Sequence, residues 1–433
     1  MLIGFDGSRA FAKNKTGTEN YSFQLLKHLA KIDSKNHYHV YLRPDNVIAK
    51  QEAEGVIPAT TGIYYEVRSL LHTNKDGSRI KSGMTGESWP ANFTFELIDF
   101  PRFWTQVGLA IETFHDKLDV LFTPSHTIPL FRKPGLKTVM TVHDLGAEYL
   151  PGMHQLKQKL YLDFITHFQL KSTTKLIAVS KATKDDLVKK VGINPKKISV
   201  IYEGVNFSSK LDLKTDQLNS TLKYYEIERD KYFFFLGTIQ PRKNLERLVK
   251  AYDRLVKETK EIEETKGEKS TLNHFNTLNS LNPPFLVLAG SKGWLSDEIY
   301  SLPKKLGIED KVKFLGRVPD EDLPALYQGA LAFVYPSLFE GFGLPILEAM
   351  INDTPVLTSN LSSMPEVAGD AAILVDPNNE ESIKDGLEKL LDKDLRDKLV
   401  EKGRKQVKKF NWEKCARETL EVLERTVKET KGG

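Results

Sequence analysis

A glycine-containing segment in the second half of the sequence carries the strongest chemical signal. It runs from Glu340 to Glu348 and reads Glu-Gly-Phe-Gly-Leu-Pro-Ile-Leu-Glu. Because proline is favoured in the first turn of a helix, the pattern predicts a helix that begins at about Leu344. The unpaired N–H groups of that turn, beside the bare backbone of Gly341 and Gly343, would form a pocket for a phosphate or a sugar. The two carboxylates can accept hydrogen bonds from the vicinal hydroxyl groups of a ribose or a hexose.

A second candidate pocket lies at residues 237–244, which read Gly-Thr-Ile-Gln-Pro-Arg-Lys-Asn. The segment begins with Gly237 and Thr238, directly after an apolar run, and it precedes a helical pattern. Arg242 offers a planar fork of donors and Lys243 a point charge, and together they suit a diphosphate. Two cations at a helix start oppose the helix dipole unless an anion binds there. The segment therefore predicts an anion site.

The first half of the sequence holds weaker signals. Gly17 precedes a helical pattern, as a glycine beside a phosphate would, but an ordinary loop glycine fits equally well. His143 and Asp144 end an apolar run. This imidazole could hydrogen-bond a substrate hydroxyl or move a proton, and the carboxylate could orient it or activate an acceptor hydroxyl. A structural cap explains the same pair as well, and Ser125 with His126 repeats the signal more weakly.

No set of metal ligands is apparent in the sequence. There are no paired cysteines, no His-x-x-x-His on a helical pattern and no Asp-x-Asp after an apolar run. If a diphosphate leaves during the reaction, Arg242, Lys243 and the helix start near Leu344 would have to neutralise it instead. We therefore expect chemistry without a metal or a cofactor.

The elements that must position these residues follow from the hydrophobic pattern. Short apolar runs alternate with amphipathic stretches along the whole sequence, which predicts parallel strands buried on both faces between helices. Two such arrays indicate an α/β protein with two doubly wound domains. The predicted parts are residues 1–206 as the first domain, 207–230 as an interdomain linker, 231–411 as the second domain and 412–433 as a terminal docking helix. Residues 72–92 and 258–284 interrupt the pattern and are predicted to be surface loops.

Composition limits the classes of function. A chain of 433 residues is too long for one ordinary core, and its formal net charge of +4 is too small to indicate nucleic-acid binding. No apolar run approaches the roughly 18 residues that span a bilayer, and no export signal begins the sequence. We therefore expect a cytoplasmic protein. The lysine-rich stretch 151–200 is either a solvated surface or a peripheral contact with the anionic inner face of a membrane.

Taken together, the motifs resemble those of the retaining group 1 (family 4) glycosyltransferases. The resemblance covers nearly the whole chain and rests on Val-His-Asp-Leu at 142–145, Ala-Val-Ser-Lys at 178–181, Glu-Gly-Val at 203–205, Pro-Arg-Lys-Asn at 241–244 and Glu-x7-Glu at 340–348. It implies the GT-B fold, in which two Rossmann-like domains face a central cleft and the final helix crosses back to the N-terminal domain. The N-terminal domain would serve the acceptor and the C-terminal domain the nucleotide sugar. Transfer would retain the anomeric configuration and need no metal.

The resemblance also implies a role for each matching residue. Glu340 would contact the donor sugar, and Glu348 the ribose hydroxyls. Arg242 and Lys243 would hold the diphosphate, and His143, beside Asp144, would contact the donor sugar near the reacting centre. The other donor contacts would come from backbone groups and loop glycines, namely Gly17, Gly237, Val318, Gly341, Phe342, Gly343 and Leu344.

One departure from the family pattern affects the diphosphate site. Many relatives carry a second arginine directly after the strand glycine, where this chain has Thr238. Diphosphate binding must therefore rely more on Arg242 and Lys243. The Pro-Arg-Lys-Asn form looks most like the bacterial branch that builds O-antigen and exopolysaccharide, often with mannose donors. This makes GDP-mannose the first candidate donor and a glycan or a lipid-linked sugar the expected acceptor. A sugar-nucleotide epimerase or hydrolase, or a catalytically silent sugar-nucleotide-binding partner, remains the alternative.

Overall fold

The structure is a computed structural model. It describes the following parts of the chain: residues 1–12, 17–43, 89–100, 102–145, 167–205, 213–265 and 283–429. Lys157 and Lys159 of the lysine-rich stretch, and most of the two predicted loops at 72–92 and 258–284, lie outside the described residues.

Two units divide the chain. The first comprises Met1–Gly204 together with Asn411–Gly433, and the second comprises Val205–Phe410. Each unit is built on one parallel sheet with helices between its strands. This is the doubly wound α/β architecture that the alternating apolar runs predict.

The first unit contains a seven-stranded parallel sheet, within the described residues, in the order β3-β2-β1-β4-β5-β6-β7. Its strands are β1 (Leu2–Asp6), β2 (His37–Leu42), β3 (Phe93–Leu97), β4 (Val120–Thr123), β5 (Lys137–Val142), β6 (Lys175–Ala178) and β7 (Ile198–Val200). Its helices are α1 (Gly17–Ile32), α2 (Leu109–His115, preceded by a π-helical turn at Trp104–Gly108) and α3 (Lys181–Lys189).

The terminal helix (Trp412–Lys428) belongs to this first unit, where it packs against α1. The side chain of Asn411 caps it by accepting a hydrogen bond from the backbone N–H of Lys414 at 2.7 Å. Trp412 meets Tyr21 of α1 edge-on, with ring centroids 5.8 Å apart. A Cβ on Gly204 would lie 2.3 Å from the backbone nitrogen of Trp412, so only glycine allows the chain to pass this close to the helix start.

The second unit contains a six-stranded parallel sheet, within the described residues, in the order β10-β9-β8-β11-β12-β13. Its strands are β8 (Tyr232–Leu236), β9 (Phe285–Ala289), β10 (Val312–Gly316), β11 (Ala332–Tyr335), β12 (Val356–Ser359) and β13 (Ala372–Val375). Its helices are α4 (Thr215–Tyr224), α5 (Leu245–Thr265), α6 (Asp297–Leu306), α7 (Leu323–Gly329), α8 (Leu344–Ile351), α9 (Met364–Ala368), α10 (Glu380–Lys389) and α11 (Lys393–Gln406).

The segment 207–230 is not simply a linker, because it contributes α4 to the second unit. The helix buries Leu218 and Leu222, and the Leu222 side chain lies against Gly329 at the end of α7. Two apolar residues one turn apart in a polar sequence are a weak periodic signal, which is why the sequence pattern did not reveal the helix.

Candidate active site

The two predicted pockets of the second unit meet at one edge of its sheet. Strand β8 leads into residues 237–244, and its neighbour β11 leads into the loop before α8. The carboxyl ends of adjacent parallel strands lie at the same edge of the sheet, and open α/β folds bind ligands at that edge. The backbone N–H of Leu338 donates to the carbonyl of Arg242 at 2.9 Å and joins the two loops directly.

Glu340 lies at the centre of this junction and is only 6% exposed. One carboxylate oxygen accepts a hydrogen bond from Lys243 Nζ at 2.6 Å, and the other accepts one from Arg242 Nη1 at 2.7 Å. Arg242 also donates to the carbonyl of Phe339 at 3.2 Å. We call Arg242, Lys243 and Glu340 the charge cluster. With two cations and one carboxylate it carries one positive charge in excess, as an anion site requires.

The electrostatics of the charge cluster keep its carboxylate ionised. Burial by itself raises the pKa of Glu340, but the charges of Lys243 and Arg242 and the hydrogen bond from Lys243 outweigh burial and lower it to about 2. Both oxygens of Glu340 are thus engaged by the protein's own cations. The carboxylate orients Arg242 and Lys243 as well as being a predicted sugar contact.

Lys243 is held from a second side by Tyr335, the last residue of β11. Its ammonium donates to the Tyr335 hydroxyl at 2.5 Å and lies 4.8 Å from the centre of that ring. The Lys243 side chain is only 6% exposed, whereas that of Arg242 is 25% exposed. Gly237, with φ of 154°, lies beside this lysine, and a Cβ there would be in van der Waals contact with its Cε at 3.5 Å. Thr238, the residue after it, is exposed.

The glycine-containing segment forms the helix start that the sequence predicts. Gly343 precedes α8 with φ of 107°, a left-handed conformation that favours glycine, and Leu344 is the first helical residue. Gly341 is buried, and the Phe342 side chain is buried edge-on against Phe410 at 5.7 Å. Phe342 therefore presents backbone rather than its ring to a ligand.

Glu348 lies one turn inside α8 and is half-buried. It accepts a hydrogen bond from the hydroxyl of Tyr327 at 3.0 Å. Burial raises the pKa of Glu348, the Tyr327 hydrogen bond lowers it, and the charge of Asp320 adds to the rise. Whereas neighbouring cations lower the pKa of Glu340, no cation contributes to the pKa shift of Glu348. An uncharged hydroxyl donor such as a ribose therefore suits Glu348.

Three glycine turns follow the neighbouring strands β8, β9 and β10. The backbone N–H of Gly237 donates to Ala289 at 3.0 Å, and that of Gly290 donates to Gly316 at 2.7 Å. A Cβ on Gly290 would lie 1.9 Å from the carbonyl oxygen of Gly237, so these loops touch backbone to backbone. Val318 follows the last turn with its side chain 6% exposed, which leaves the backbone as the group it can offer a nucleobase.

In the first unit, His143 is fixed by acceptors at both ring nitrogens. Nδ1 lies 3.2 Å from a carboxylate oxygen of Glu203, and Nε2 lies 2.9 Å from the carbonyl oxygen of Pro124. Two acceptors at the ring nitrogens favour an N–H at both positions and therefore favour the protonated form of the ring. Burial lowers the pKa of His143, but the hydrogen bond and charge of Glu203 and the carbonyl of Pro124 outweigh burial and raise it. The ring also meets Tyr21 edge-on at 4.7 Å.

Two family profiles match the chain. The family described as "Glycosyl transferases group 1" matches residues 221–406, and the one described as "Glycosyltransferase Family 4" matches residues 16–209. The O-antigen chain mannosyltransferase B of Escherichia coli is 33% identical over 285 residues, which cover 66% of this chain and 69% of that protein. The chain belongs to the group 1 glycosyltransferases.

A second relative and a solved structure agree with this assignment. The O-antigen chain mannosyltransferase RfbU of Salmonella typhimurium is 30% identical to the glycosyltransferase over 280 residues, 65% of this chain and 66% of that protein. The structure of sucrose-phosphate synthase from Thermosynechococcus elongatus superposes with a TM-score of 0.66 at 17% identity, covering 99% of this chain and 100% of that one. The fold is therefore GT-B, with two Rossmann-like domains.

The other predicted residues of the glycosyltransferase's first unit carry less structural support. Gly17 is the first residue of α1, and a Cβ there would have no neighbour within 4 Å, so neither packing nor backbone requires a glycine. Asp144 is half-buried. Ser125 is buried and His126 is exposed. Ser125 lines a polar pocket at the carboxyl ends of β1 and β4, together with Asp6, Ser8, Arg9, Ala12, Glu19, Arg43, Thr105 and Thr127.

Sequence reasoning assigned no role to four residues that contact the predicted site residues within their own units. Tyr335 and Glu203 orient Lys243 and His143 respectively. The hydroxyls of Ser362 and Ser363 donate to the carbonyl of Glu340 at 2.7 and 2.9 Å. The Ser-Ser pair before Met-Pro-Glu is a helix-start sequence that could have been recognised, but a tyrosine at a strand end carries no such signal.

The described residues bring together one set of potential metal ligands that the sequence did not suggest. His39, Glu96 and Asp116 place ligand atoms within 4.8 Å of one another in the first unit. Asp116 accepts hydrogen bonds from the Tyr41 hydroxyl at 2.5 Å and from His39 Nδ1 at 3.1 Å. These hydrogen bonds give the cluster a structural explanation as a polar network under Tyr41.

The described lysines of the stretch 151–200 are largely engaged by the protein itself. Lys189 and Lys190 pair with aspartates one turn earlier on α3, at 3.4 and 3.2 Å. Other ammonium groups bind the Glu429 carboxylate or backbone carbonyls, namely those of Lys175, Lys184 and Lys197. These contacts weaken the case for a simple cationic face. In the described part of the chain, no helix combines the length and the apolar character needed to cross a membrane.

The Glu203–His143 pair leads to a prediction about pH. Glu203→Gln should lower the pKa of His143, because the neutral amide no longer stabilises the imidazolium against burial. In the wild type the raised pKa stabilises the fold fully below about 6.5, and this stabilisation is lost as pH rises through the folded-state pKa. NMR titration of histidine-labelled protein, assigned with His143→Gln, measures the change.

Glu112→Gln is the matched control for this titration, because Glu112 lies 3.9 Å from His115, whose side chain is 67% exposed. It should leave the pKa of His143 unchanged. If His143 titrates identically in wild type and Glu203→Gln, the carboxylate does not hold the ring in its charged form.

Proposed function

We propose that this glycosyltransferase moves a hexose from a nucleotide diphosphate sugar to a glycan or lipid-linked acceptor, with retention of the anomeric configuration and without a metal. Mannose, supplied as GDP-mannose, is the first candidate sugar. The two relatives named as O-antigen mannosyltransferases support this choice. The proposal includes a cytoplasmic location, with the enzyme peripheral on the inner face of the membrane.

The charge cluster is the observation that carries the proposal. Breaking the bond between the sugar and the diphosphate leaves negative charge on the diphosphate, and stabilising that charge accelerates the reaction. Arg242 and Lys243 supply two cations at the sheet edge, and Glu340 fixes both with hydrogen bonds of 2.7 and 2.6 Å. Cations that are already oriented need no rearrangement at the moment of reaction, so their effect on the barrier is large.

The two cations are suited to different tasks. Arg242 is the more exposed of the two and has a planar fork of donors, so we assign it the first contact with the phosphate oxygens. Lys243 is nearly buried between Glu340 and Tyr335, so it acts as a fixed charge beside them. The N–H groups at the start of α8, reached through Gly341 and Gly343, would complete the anion site without a metal.

Further roles extend the proposal to the other predicted residues. Glu348 would accept hydrogen bonds from the ribose hydroxyls, and the backbone at Val318 would meet the nucleobase. His143 would contact the donor sugar only by giving up one of its present partners, because Glu203 and the Pro124 carbonyl already occupy both ring nitrogens. Asp144 remains the candidate for activating an acceptor hydroxyl, because Glu203 and Pro124, and not Asp144, hold the two nitrogens of the His143 ring.

Transfer assays distinguish this function from its alternatives. Thermal shifts with nucleoside diphosphates and their sugars identify the donor, since a ligand at 100 times its dissociation constant stabilises the protein by about 2.7 kcal/mol. The enzyme is then incubated with that donor, either alone or together with lipid-linked acceptors, and each incubation is repeated in the presence of EDTA. We expect acceptor-dependent release of the nucleoside diphosphate that is unaffected by EDTA, and NMR of the product should show a linkage with the anomeric configuration of the donor.

Each other result supports a different function. Donor consumption that is independent of the acceptor would indicate an epimerase or hydrolase. Binding of the donor without transfer to any acceptor would indicate a silent sugar-nucleotide-binding partner. Loss of transfer in the presence of EDTA would contradict the proposed independence from metal but would leave the proposed transfer reaction standing.

Glu348→Gln tests the ribose contact. The amide keeps the shape of the side chain but accepts hydrogen bonds less strongly than a carboxylate, so nucleotide affinity should fall by about tenfold. Calorimetric titration with the nucleoside diphosphate measures this, and Glu401→Gln on the exposed side of α11 is the control. Equal affinities for Glu348→Gln and wild type would remove Glu348 from the ribose site.

A further inference from the structure

The first unit exposes a row of large apolar side chains on one helical segment. Phe103, Val107, Ile111 and Phe114 are 76%, 36%, 44% and 53% exposed, and Phe131 on the adjoining loop is 81% exposed. We call these five residues the apolar stripe. Of the twelve large apolar side chains that are exposed among the described residues, five therefore belong to this one surface. Soluble surfaces seldom concentrate apolar side chains in this way without a partner.

The spacing of the stripe shows that it is one face of the helical segment. Its first four members stand at i, i+4, i+8 and i+11, so they lie above one another along the π-helical turn and α2. The opposite face packs Trp104 and Leu109 into the core. The segment is thus apolar on both sides, and the packing of the fold accounts for only one of them.

Phe103 is exposed although its backbone conformation is unfavourable. Its φ of 56° and ψ of 32° place a bulky aromatic residue in the left-handed region at the start of the π-helical turn. Such a conformation is unfavourable for a bulky residue and persists only where the surrounding structure imposes it. Because the side chain is exposed, burial of Phe103 in the core does not offset that cost.

Hydrogen bonds join the loop that carries Phe131 to the same helical segment. The Gln106 side chain donates to the carbonyl of Ile128 at 3.0 Å and accepts from the backbone N–H of Leu130 at 2.9 Å. The Thr113 hydroxyl accepts from the backbone N–H of Lys133 at 3.1 Å. These bonds tie residues 128–133, and with them Phe131, to the same helical segment.

The charges around the stripe are mainly positive. Arg102 precedes Phe103 and is exposed, Lys117 follows α2 and is exposed, and Lys133 follows Phe131 and is half-buried. Asp116 is buried beneath the helix, Asp99 is exposed on the same connection, and Glu112 of α2 is 18% exposed and lies 3.9 Å from His115. Cations beside an apolar face suit an anionic lipid surface, which attracts the charges while the apolar groups enter the interface. A symmetric pairing of two copies through the stripe would instead bring like charges together.

We propose that the apolar stripe, flanked by Arg102 and Lys133, is a membrane-docking surface that inserts into the headgroup region of an anionic bilayer. The lysines of the stretch 151–200 are then secondary, in keeping with their engagement by the protein's own acceptors. Docking needs no nucleotide sugar. It can therefore succeed or fail independently of the proposed transfer reaction.

Flotation of the full chain with vesicles tests the proposal. One set of vesicles is phosphatidylcholine, and the other is an equimolar mixture of phosphatidylcholine and phosphatidylglycerol. We expect binding to the anionic vesicles, and a loss of about tenfold for each of Phe103→Ser and Phe131→Ser. Replacing Arg102 and Lys133 together by glutamine should weaken binding to the anionic vesicles severalfold and make it less sensitive to salt.

Matched variants distinguish docking through the apolar stripe from non-specific hydrophobic binding to vesicles. Tyr224→Ser and Leu295→Ser remove side chains that are 78% and 73% exposed in the second unit, and they should bind like wild type. Lys189→Gln with Lys196→Gln tests the lysine-rich stretch and should have little effect. Apart from the half-buried Lys133, the replaced side chains are exposed, so thermal unfolding should confirm that the variants remain folded.

Three results would overturn the proposal. The first is absence of wild-type binding to either vesicle. The second is loss of binding in the lysine variant while Phe103→Ser and Phe131→Ser bind normally. The third is a wild-type dimer in sedimentation equilibrium that Phe103→Ser dissociates, which would assign the stripe to a second copy of the chain.

Discussion

Lys243→Ala is expected to lower the rate of sugar transfer by about 10²-fold or more, because the departing diphosphate loses a fixed positive charge. The structure strengthens this expectation. Lys243 shares Glu340 with Arg242, so its removal leaves the carboxylate to bind Arg242 alone and to compete with the phosphate for it. Single-turnover rates with saturating donor and acceptor measure the effect on the chemical step.

Lys250→Ala is the matched control for this experiment. Lys250 lies on α5, pairs with Glu246 at 2.6 Å and is 37% exposed, so it should transfer sugar at the wild-type rate. Lys243→Met keeps the volume of the buried chain and separates the lost charge from a packing defect. If folded Lys243→Met turned over like wild type, the lysine would have no part in stabilising the leaving group.

Glu340→Gln is expected to lower the free energy of unfolding at neutral pH by about 3 kcal/mol. The pKa of Glu340 falls from 4.5 to about 2 on folding, and each pKa unit corresponds to about 1.36 kcal/mol. Because the carboxylate is nearly buried, solvent screens this interaction little. The amide would leave Lys243 and Arg242 at the sheet edge without a counter-charge.

The same replacement has a defined pH dependence. A carboxylate with a lowered pKa stabilises the fold fully above its unfolded value of about 4.5, and this stabilisation is lost as pH falls through about 2. Urea unfolding should therefore show a constant difference between wild type and Glu340→Gln from neutral pH down to about 4.5. At lower pH the difference should shrink.

Glu246→Gln provides the comparison for stability. Glu246 is 49% exposed and pairs with Lys250 one turn away, so its removal should cost less than about 0.5 kcal/mol. A similarly small cost for Glu340→Gln would mean that the charge cluster is not electrostatically coupled in the folded protein.

The local elements at the site followed from residue type and spacing. The apolar run Tyr232–Leu236 forms β8, and the helix that glycine and proline indicated begins at Leu344. Strand interiors and helix starts are encoded by near neighbours in the chain, so the sequence suffices for them. The helix Thr215–Tyr224 escaped detection because two buried leucines in a polar sequence give little periodicity.

The contacts of the side chains did not follow from spacing. Lys243 and Glu340 were expected in separate pockets, yet 97 positions apart in sequence they share a hydrogen bond of 2.6 Å. That contact depends on β8 and β11 being neighbours in the sheet. The hydrogen bond between His143 and Glu203, 60 positions apart, likewise depends on the fold. His143 directly follows β5, whereas Glu203 lies on the chain that leaves β7.

By itself, the sequence determined the α/β class, the two GT-B domains and the family, because these reside in local periodicity and in short motifs. Only the tertiary structure decided that Glu340 is a buried counter-ion for both cations, that Glu203 and Pro124 hold both ring nitrogens of His143, and that five large apolar side chains of the first unit are exposed on the π-helical turn, α2 and the loop bonded to them. These properties depend on burial and on distances between remote segments. Both are set when the sheets assemble, and neither is encoded in the spacing of residues along the chain.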